Sequence, residues 1–107
     1  QRGGKLTQIR LELRTGLRSL SVAGRKVYAA AKSRDLAERS LEIEQRRFLN
    51  NISDNFKVAQ LQGELELARQ AELQALIDHE KARSDLLRAT GELLQARNLT
   101  FELRKDS

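Results

Sequence analysis

The sequence contains no cysteine, no proline and no tryptophan, and aromatic residues make up only 4% of its 107 residues. A chain this short, with so few large side chains, has little from which to build a globular core. Its composition is instead dominated by helix formers such as Leu, Ala, Glu, Arg and Gln, which are typical of coiled coils. We therefore expect a single all-α domain, residues 1–107, made of long helices.

The absence of cysteine means that disulfides are not used, which is compatible with a reducing cytosol and with an oxidising periplasm. No apolar run approaches the roughly 18 residues that a membrane-spanning helix needs. No signal peptide is visible either. The sequence as given is expected to be soluble, with any export signal removed or lying outside it.

A short segment in the middle of the chain gives two long helical patterns a reason to stop. Asn50 and Asn51 are of a residue type that tolerates the left-handed conformation found at helix ends. Ser53 and Asp54 can accept hydrogen bonds from the free N–H groups that open the next helix. The predicted elements are a helix over about 5–49, a tip at about 50–54, a helix over about 55–98, and frayed ends outside them.

Residues on both sides of this turn alternate spacings of three and four, the a/d pattern of helices that pack lengthwise. In the first helix this seam comprises Leu6, Ile9, Leu13, Gly16, Leu20, Ala23, Val27, Ala30, Arg34, Ala37, Leu41, Glu44 and Phe48. In the second helix it comprises Val58, Leu61, Leu65, Ala68, Glu72, Ala75, His79, Ala82, Leu86, Ala89, Leu93 and Ala96. We predict a long antiparallel two-helix coiled-coil hairpin in which the numbers of facing residues sum to about 104–106. This register places Phe48 near Phe56, and Arg34 near Glu72, so that the two charges on the seam neutralise each other.

Each helix also carries a second apolar stripe away from the seam. The stripe of the first helix comprises Val22, Ala29, Leu36 and Ile43, and that of the second comprises Leu73, Leu76, Leu87 and Leu94. Two apolar surfaces per helix indicate neighbours on both sides, as in a bundle or a closed ring of helices. The isolated chain is expected to self-associate through these stripes, most simply as a dimer forming a four-helix bundle, or by opening into longer swapped helices.

Basic residues are concentrated in the first helix. Residues 1–47 contain 12 Lys and Arg against 5 Asp and Glu, whereas residues 48–107 contain 8 against 10. A basic ridge with a spacing of seven comprises Arg18, Arg25, Lys32, Arg39 and Arg46. We interpret the ridge as a solvated outer face, with nucleic-acid or phospholipid binding as the alternatives.

Catalytic residues are not indicated. The single histidine, His79, lies on the seam as a packed side chain would, and no second His or Cys completes a metal site. Glu64, Glu66 and Glu72 have ordinary helix-surface explanations. No glycine follows a strand in a phosphate-binding pattern. We predict a non-enzyme without cofactor or metal.

The turn and second helix carry an ordered set of short motifs. They are LEIEQRRF at 41–48, NISDNFKVAQLQ at 51–62, ARQAELQA at 68–75 and RATGELL at 88–94. Over about residues 30–98 the chain thereby resembles TolC-like outer membrane efflux proteins, in the periplasmic helical hairpin of one of their two repeats. Three positions depart from the family pattern at the turn: Asn51 stands where the family has Gly, Ala59 where it has Leu, and Leu61 where it has Ala.

The resemblance implies a passive conduit in the periplasmic portion of a bacterial outer membrane protein. In that family three protomers contribute hairpins to a trimeric α-helical barrel, and the hairpin tips engage a periplasmic adaptor protein of a tripartite export pump. The chain would be the hairpin portion of such a protein, with no nucleic acid bound and no direct membrane contact. The residues implied as the docking tip are Asn50, Asn51, Ile52, Ser53, Asp54 and Asn55.

Other functions remain open at this point. The same polar residues at the tip would be chosen for turn chemistry alone. A soluble coiled-coil scaffold is the main alternative function, and a nucleic-acid binder acting through the basic ridge is a third.

Overall fold

The computed structural model describes the backbone of residues 2–106 and the side chains of residues 7–98. Within these residues the chain forms two helices, α1 over Arg2–Leu49 and α2 over Asn55–Asp106, joined by a short turn. The predicted all-α helical hairpin is confirmed. Neither helix contains, over the described part of the chain, a stretch apolar and long enough to cross a membrane.

Both helices extend beyond their predicted outer ends. Helix α1 begins at Arg2 rather than near residue 5, and α2 continues to Asp106 rather than ending near residue 98. The apolar pattern fades after Leu99, but the loss of a packing pattern does not by itself end a helix. No proline is present, and no glycine follows Gly91, so nothing interrupts the backbone hydrogen bonds. The predictions for Gln1, Ser107 and the side chain of Leu6 lie outside the described residues.

The chain divides into two compact units. The tip unit comprises residues 24–77, and the base unit comprises residues 1–23 and 78–107. In each unit a segment of α1 packs against a segment of α2.

In the tip unit the predicted seam is the buried surface. From residue 55 to residue 77, every seam position of α2 is buried or half-buried and every other position is exposed. Val58 and Leu65 are the most buried apolar side chains on this segment. On α1 the seam positions from Val27 to Glu44 are also buried or half-buried. Apolar burial along this seam holds the two segments together.

Phe48, the last seam position of α1, departs from the prediction. It is 41% exposed, and Phe56, which the register places beside it, is 79% exposed. The seam ends where the chain turns, so no further layer of side chains covers these rings. Both aromatic rings therefore add to the exposed apolar surface of the hairpin tip.

The register of the tip unit is fixed by an ion pair across the seam. Arg34 Nε donates to Glu72 Oε1 at 2.9 Å, and these two residue numbers sum to 106, within the predicted range. Arg34 Nη1 also donates to Glu38 Oε2 at 3.0 Å, and Arg69 Nη2 lies 3.8 Å from Glu38 Oε1. The hydrogen bonds to Glu72 and Glu38 raise the pKa of the Arg34 guanidinium. The four charges form a network along one edge of the seam.

In the base unit the helices approach closely at Gly16. A Cβ atom added there would lie 3.2 Å from Leu86 Cδ1 and 3.7 Å from Leu86 Cα. The numbers of Gly16 and Leu86 sum to 102, below the predicted 104–106, so the observed neighbour is displaced by two to four residues from the predicted 88–90. A seam residue packs between partners on successive turns of the facing helix. Because Gly16 has no side chain, the backbone of α2 at Leu86 can approach the backbone of α1. Among the described side chains of this unit, the buried apolar residues are Ile9, Ala23 and Ala89.

The close approach at Gly16 predicts different effects of alanine at three helical glycines. A Cβ at Gly63 or Gly91 would meet nothing within 4 Å, so Gly63→Ala and Gly91→Ala should each stabilise the protein by about 0.5–1 kcal/mol. Gly16→Ala should gain less, because Leu86 must shift to make room. Urea unfolding measures all three. Equal stabilisation by Gly16→Ala and Gly63→Ala would show that the helices are not in close contact at Gly16.

Candidate docking tip and lateral stripes

Helix α1 ends in a Schellman motif. Asn51 adopts the left-handed conformation with φ of 61°. Its N–H donates to the carbonyl of Phe48 at 3.1 Å, and the N–H of Ile52 donates to the carbonyl of Arg47 at 2.8 Å. These two bonds satisfy carbonyls that a helix end leaves free. The prediction of a left-handed asparagine is confirmed at Asn51.

Helix α2 opens on an aspartate cap. Asp54 Oδ1 accepts a hydrogen bond from the N–H of Lys57 at 2.8 Å, and the Asp54 carbonyl accepts one from the N–H of Val58 at 3.4 Å. Of the two predicted candidates, Asp54 is therefore the N-cap. Ser53 has a different role, because its hydroxyl donates to Glu44 Oε1 at 2.6 Å.

The Ser53 bond identifies Glu44 as a residue whose role the sequence analysis missed. The seam pattern includes Glu44 but predicts no partner for its charge, and Glu44 is only 7% exposed. A buried carboxylate is costly unless hydrogen bonds and charges compensate it. The Ser53 hydroxyl and Arg47 Nε, which lies 3.7 Å from Glu44 Oε1, provide that compensation. The only signal in the sequence was an acidic residue on an apolar seam shortly before a polar turn.

The predicted docking residues lie together on the turn, and five of the six are exposed. Ser53 is half-buried, whereas Ile52 is 64% exposed. In a Schellman motif the residue at the position of Ile52 often contacts an apolar side chain in the last helical turn. Here Ile52 remains largely in solvent. Leu49 and Phe56, each 79% exposed, extend this apolar surface beyond the predicted set.

Both helices of the tip unit also expose their second apolar stripes. The α1 stripe comprises Ala29, Leu36 and Ile43 in this unit, and the α2 stripe comprises Leu73 and Leu76; all five are exposed. The remaining members, Val22, Leu87 and Leu94, lie in the base unit and are exposed as well. The hairpin seam therefore does not cover the stripes.

The two stripes of the tip unit face opposite directions. Arg69 reaches Glu38 across one edge of the seam. Leu73 and Leu76 follow Arg69 by four and seven residues, so they lie on the same side of α2 as that edge. On α1, Leu36 precedes Glu38 by two residues, which is roughly 200° around a helix. The α1 stripe thus faces the side opposite to the Glu38 edge.

The basic ridge is exposed and partly neutralised within α1. Arg39 Nε lies 3.2 Å from Asp35, and Arg46 Nη2 lies 2.7 Å from Glu42. Lys32 Nζ lies 5.1 Å from the centre of the Tyr28 ring. Exposed pairs of this kind contribute little stability, but they occupy charges that an anionic ligand would need. This geometry favours the solvated outer face.

His79 is half-buried on the seam, as predicted for a packed side chain. Among the described side chains no group of three His, Cys, Asp or Glu residues could hold a metal ion.

The features that bear on function are thus the exposed apolar tip and the two lateral stripes. Comparison of the chain with protein-family models, with curated proteins and with solved structures finds no match.

Proposed function

We propose that the chain is the periplasmic tunnel hairpin of an outer membrane efflux channel and docks at its tip to a periplasmic adaptor protein of a tripartite export pump. The observation that carries the proposal is Ile52, an apolar side chain left 64% exposed on a turn that backbone hydrogen bonds hold in place. The motifs of the turn and second helix, which resemble those of TolC-like proteins, give this exposed side chain its proposed partner.

The lateral stripes support a place among other hairpins. Because the stripes of the tip unit face opposite directions, a contact on one of them leaves the other free for the next neighbour. A contact between unlike surfaces can therefore repeat until a ring closes. In the full-length protein this arrangement corresponds to a trimer of hairpin-bearing protomers. For the isolated chain it favours growth beyond the dimer expected from the sequence.

A charge at Ile52 tests the docking role. In the full-length efflux protein, Ile52→Glu should abolish drug export while the trimer still assembles, since the backbone bonds of the turn do not involve this side chain. The matched control is Lys32→Glu, which places the same carboxylate on the exposed basic ridge, away from the tip and outside both stripes. The control variant should export normally. Unimpaired export by Ile52→Glu would refute the docking role.

A soluble coiled-coil scaffold is the second candidate, and the exposed lateral stripes are the observation that favours it. A scaffold would bind its partners through its sides and would need no special turn. Replacing residues 50–55 by a neutral linker should then leave partner binding intact, whereas an efflux hairpin should lose its adaptor. A steep dependence of binding on salt concentration would instead point to nucleic acid and the basic ridge.

A further inference from the structure

Two local motifs hold the turn, and they leave one junction between them. The Schellman bonds of α1 fix the backbone as far as Ile52, whose N–H is bonded to Arg47. The Asp54 cap fixes the start of α2. Ser53 alone lies between these two motifs. Rotation about its backbone would change the direction of Ile52, the last residue held by the α1 motif, relative to the start of α2.

The Ser53 side chain is bonded to the interior of the tip unit at this junction. Its hydroxyl donates to Glu44 Oε1 at 2.6 Å, and Glu44 is buried on the seam beside Arg47. An apolar residue would fill that seam position without the desolvation cost of a carboxylate, and such replacements are often neutral or stabilising. Glu44 is therefore poorly explained by packing alone. Its hydrogen bond to Ser53 supplies what an apolar residue could not.

We propose that Glu44 and Ser53 form a tip latch, in which Glu44 is a positioning residue that holds Ser53 and thereby fixes the direction of Ile52. The biological use of the latch rests on the proposed docking function, since a fixed Ile52 loses less conformational freedom when a partner binds it. The latch itself is a physical property of the hairpin. It can be tested without any partner.

Amide hydrogen exchange of the 107-residue chain, resolved by residue, tests the latch. Ser53→Ala removes the donor and Glu44→Leu removes the acceptor. Without the latch, the turn that carries the bond from the Ile52 N–H to the Arg47 carbonyl should open more often. Each variant should therefore speed exchange of the Ile52 amide, on the order of tenfold or more for a lost hydrogen bond to a charged group. Glu44→Gln keeps an oxygen acceptor and should retain most of the protection. Amides farther along α2 than the cap, such as that of Leu65, serve as internal controls and should change little.

Thermal unfolding of Glu44→Leu separates positioning from simple packing. The variant should unfold at a higher temperature than the parent, because an apolar side chain replaces a buried charge. In the same variant the Ile52 amide should exchange faster, so global stability and tip protection move in opposite directions. Unchanged Ile52 exchange in both Ser53→Ala and Glu44→Leu would overturn the latch.

Export by the full-length protein distinguishes failure of the latch from failure of the docking function. If the exchange experiment supports the latch, Glu44→Leu should reduce export although Ile52 is intact and the trimer assembles. If Ile52→Glu exports normally, the docking function fails while the latch stands on its exchange data. If Ile52→Glu blocks export but Glu44→Leu neither alters exchange nor lowers export, the docking function stands and the latch is refuted.

Discussion

We expect the chain to self-associate, and glutamate in place of Leu36 should then make it monomeric without unfolding the hairpin. Leu36 is 67% exposed in the tip unit, so the change removes few contacts within the chain. Substitutions at such exposed positions usually alter the free energy of unfolding by less than about 0.5 kcal/mol. In an assembly, however, the α1 stripe becomes an interface, and an unpaired charge there carries a large desolvation cost. Sedimentation velocity over a range of protein concentrations measures the effect.

The magnitude follows from burial of one leucine and one charge. Full burial of a leucine side chain contributes about 1.5–3 kcal/mol, and burying the carboxylate adds to the loss. We expect the dissociation constant to rise on the order of 100-fold or more. Lys32→Glu is the control, because it places the same carboxylate on the exposed basic ridge of α1, outside both stripes. A parent chain that remains a folded monomer at high concentration, or a Leu36→Glu variant that associates like the parent, would contradict the role of the stripe.

Valine in place of Asn51 is expected to lower stability more than other single changes on the turn. Asn51 has a φ of 61°, a region that a β-branched side chain adopts only with strain. The cost should be roughly 1–3 kcal/mol of the free energy of unfolding. Asn51→Gly should be as stable as the parent or slightly more so, because glycine adopts a positive φ at no steric cost.

Urea unfolding of the two Asn51 variants compares them directly. Both variants lose the side-chain amide of Asn51, so any effect of losing its hydrogen bonds is the same in both. Only the valine variant adds a branched Cβ at a positive φ. Equal stability of the valine and glycine variants would mean that the turn does not hold Asn51 in the left-handed conformation.

Most of the fold could be predicted from the sequence because the seam is a property of its periodicity. All predicted seam positions of α2 from Val58 to Ala96 are buried or half-buried, and the other positions between residues 55 and 98 are exposed. The charge pair of Arg34 and Glu72 fixed the register because a charge on a seam needs a partner. Both predicted outer helix ends lie too close to the turn. Helix α2 continues past the point where the apolar pattern fades because no proline or glycine follows Gly91, and α1 continues through Gly3 and Gly4 to Arg2.

Less of the candidate site was predictable, because it depends on where individual side chains point. Ser53 and Asp54 have similar capping chemistry, and only the structure shows that Asp54 caps α2 while Ser53 reaches Glu44. The seam pattern also does not predict the exposure of Leu49 and Phe56, which lie just after the last seam position of α1 and just before the first of α2. Sequence periodicity predicts which residues of the two helices face each other. It does not predict which side chains remain exposed at the turn, where the seam ends.

The opposite orientation of the two stripes can be tested by mixing two variants, each of which carries a charge on one stripe. Leu36→Glu places a charge in the α1 stripe, and Leu73→Glu places one in the α2 stripe. If assembly joins the α1 stripe of one copy to the α2 stripe of the next, each variant alone should be monomeric, because every contact needs one intact stripe of each kind. An equimolar mixture should form a heterodimer that grows no further, with a mass about twice that of the monomer by sedimentation equilibrium. Dimers of either variant alone, or a mixture that stays monomeric, would show that assembly does not join the α1 stripe of one copy to the α2 stripe of the next.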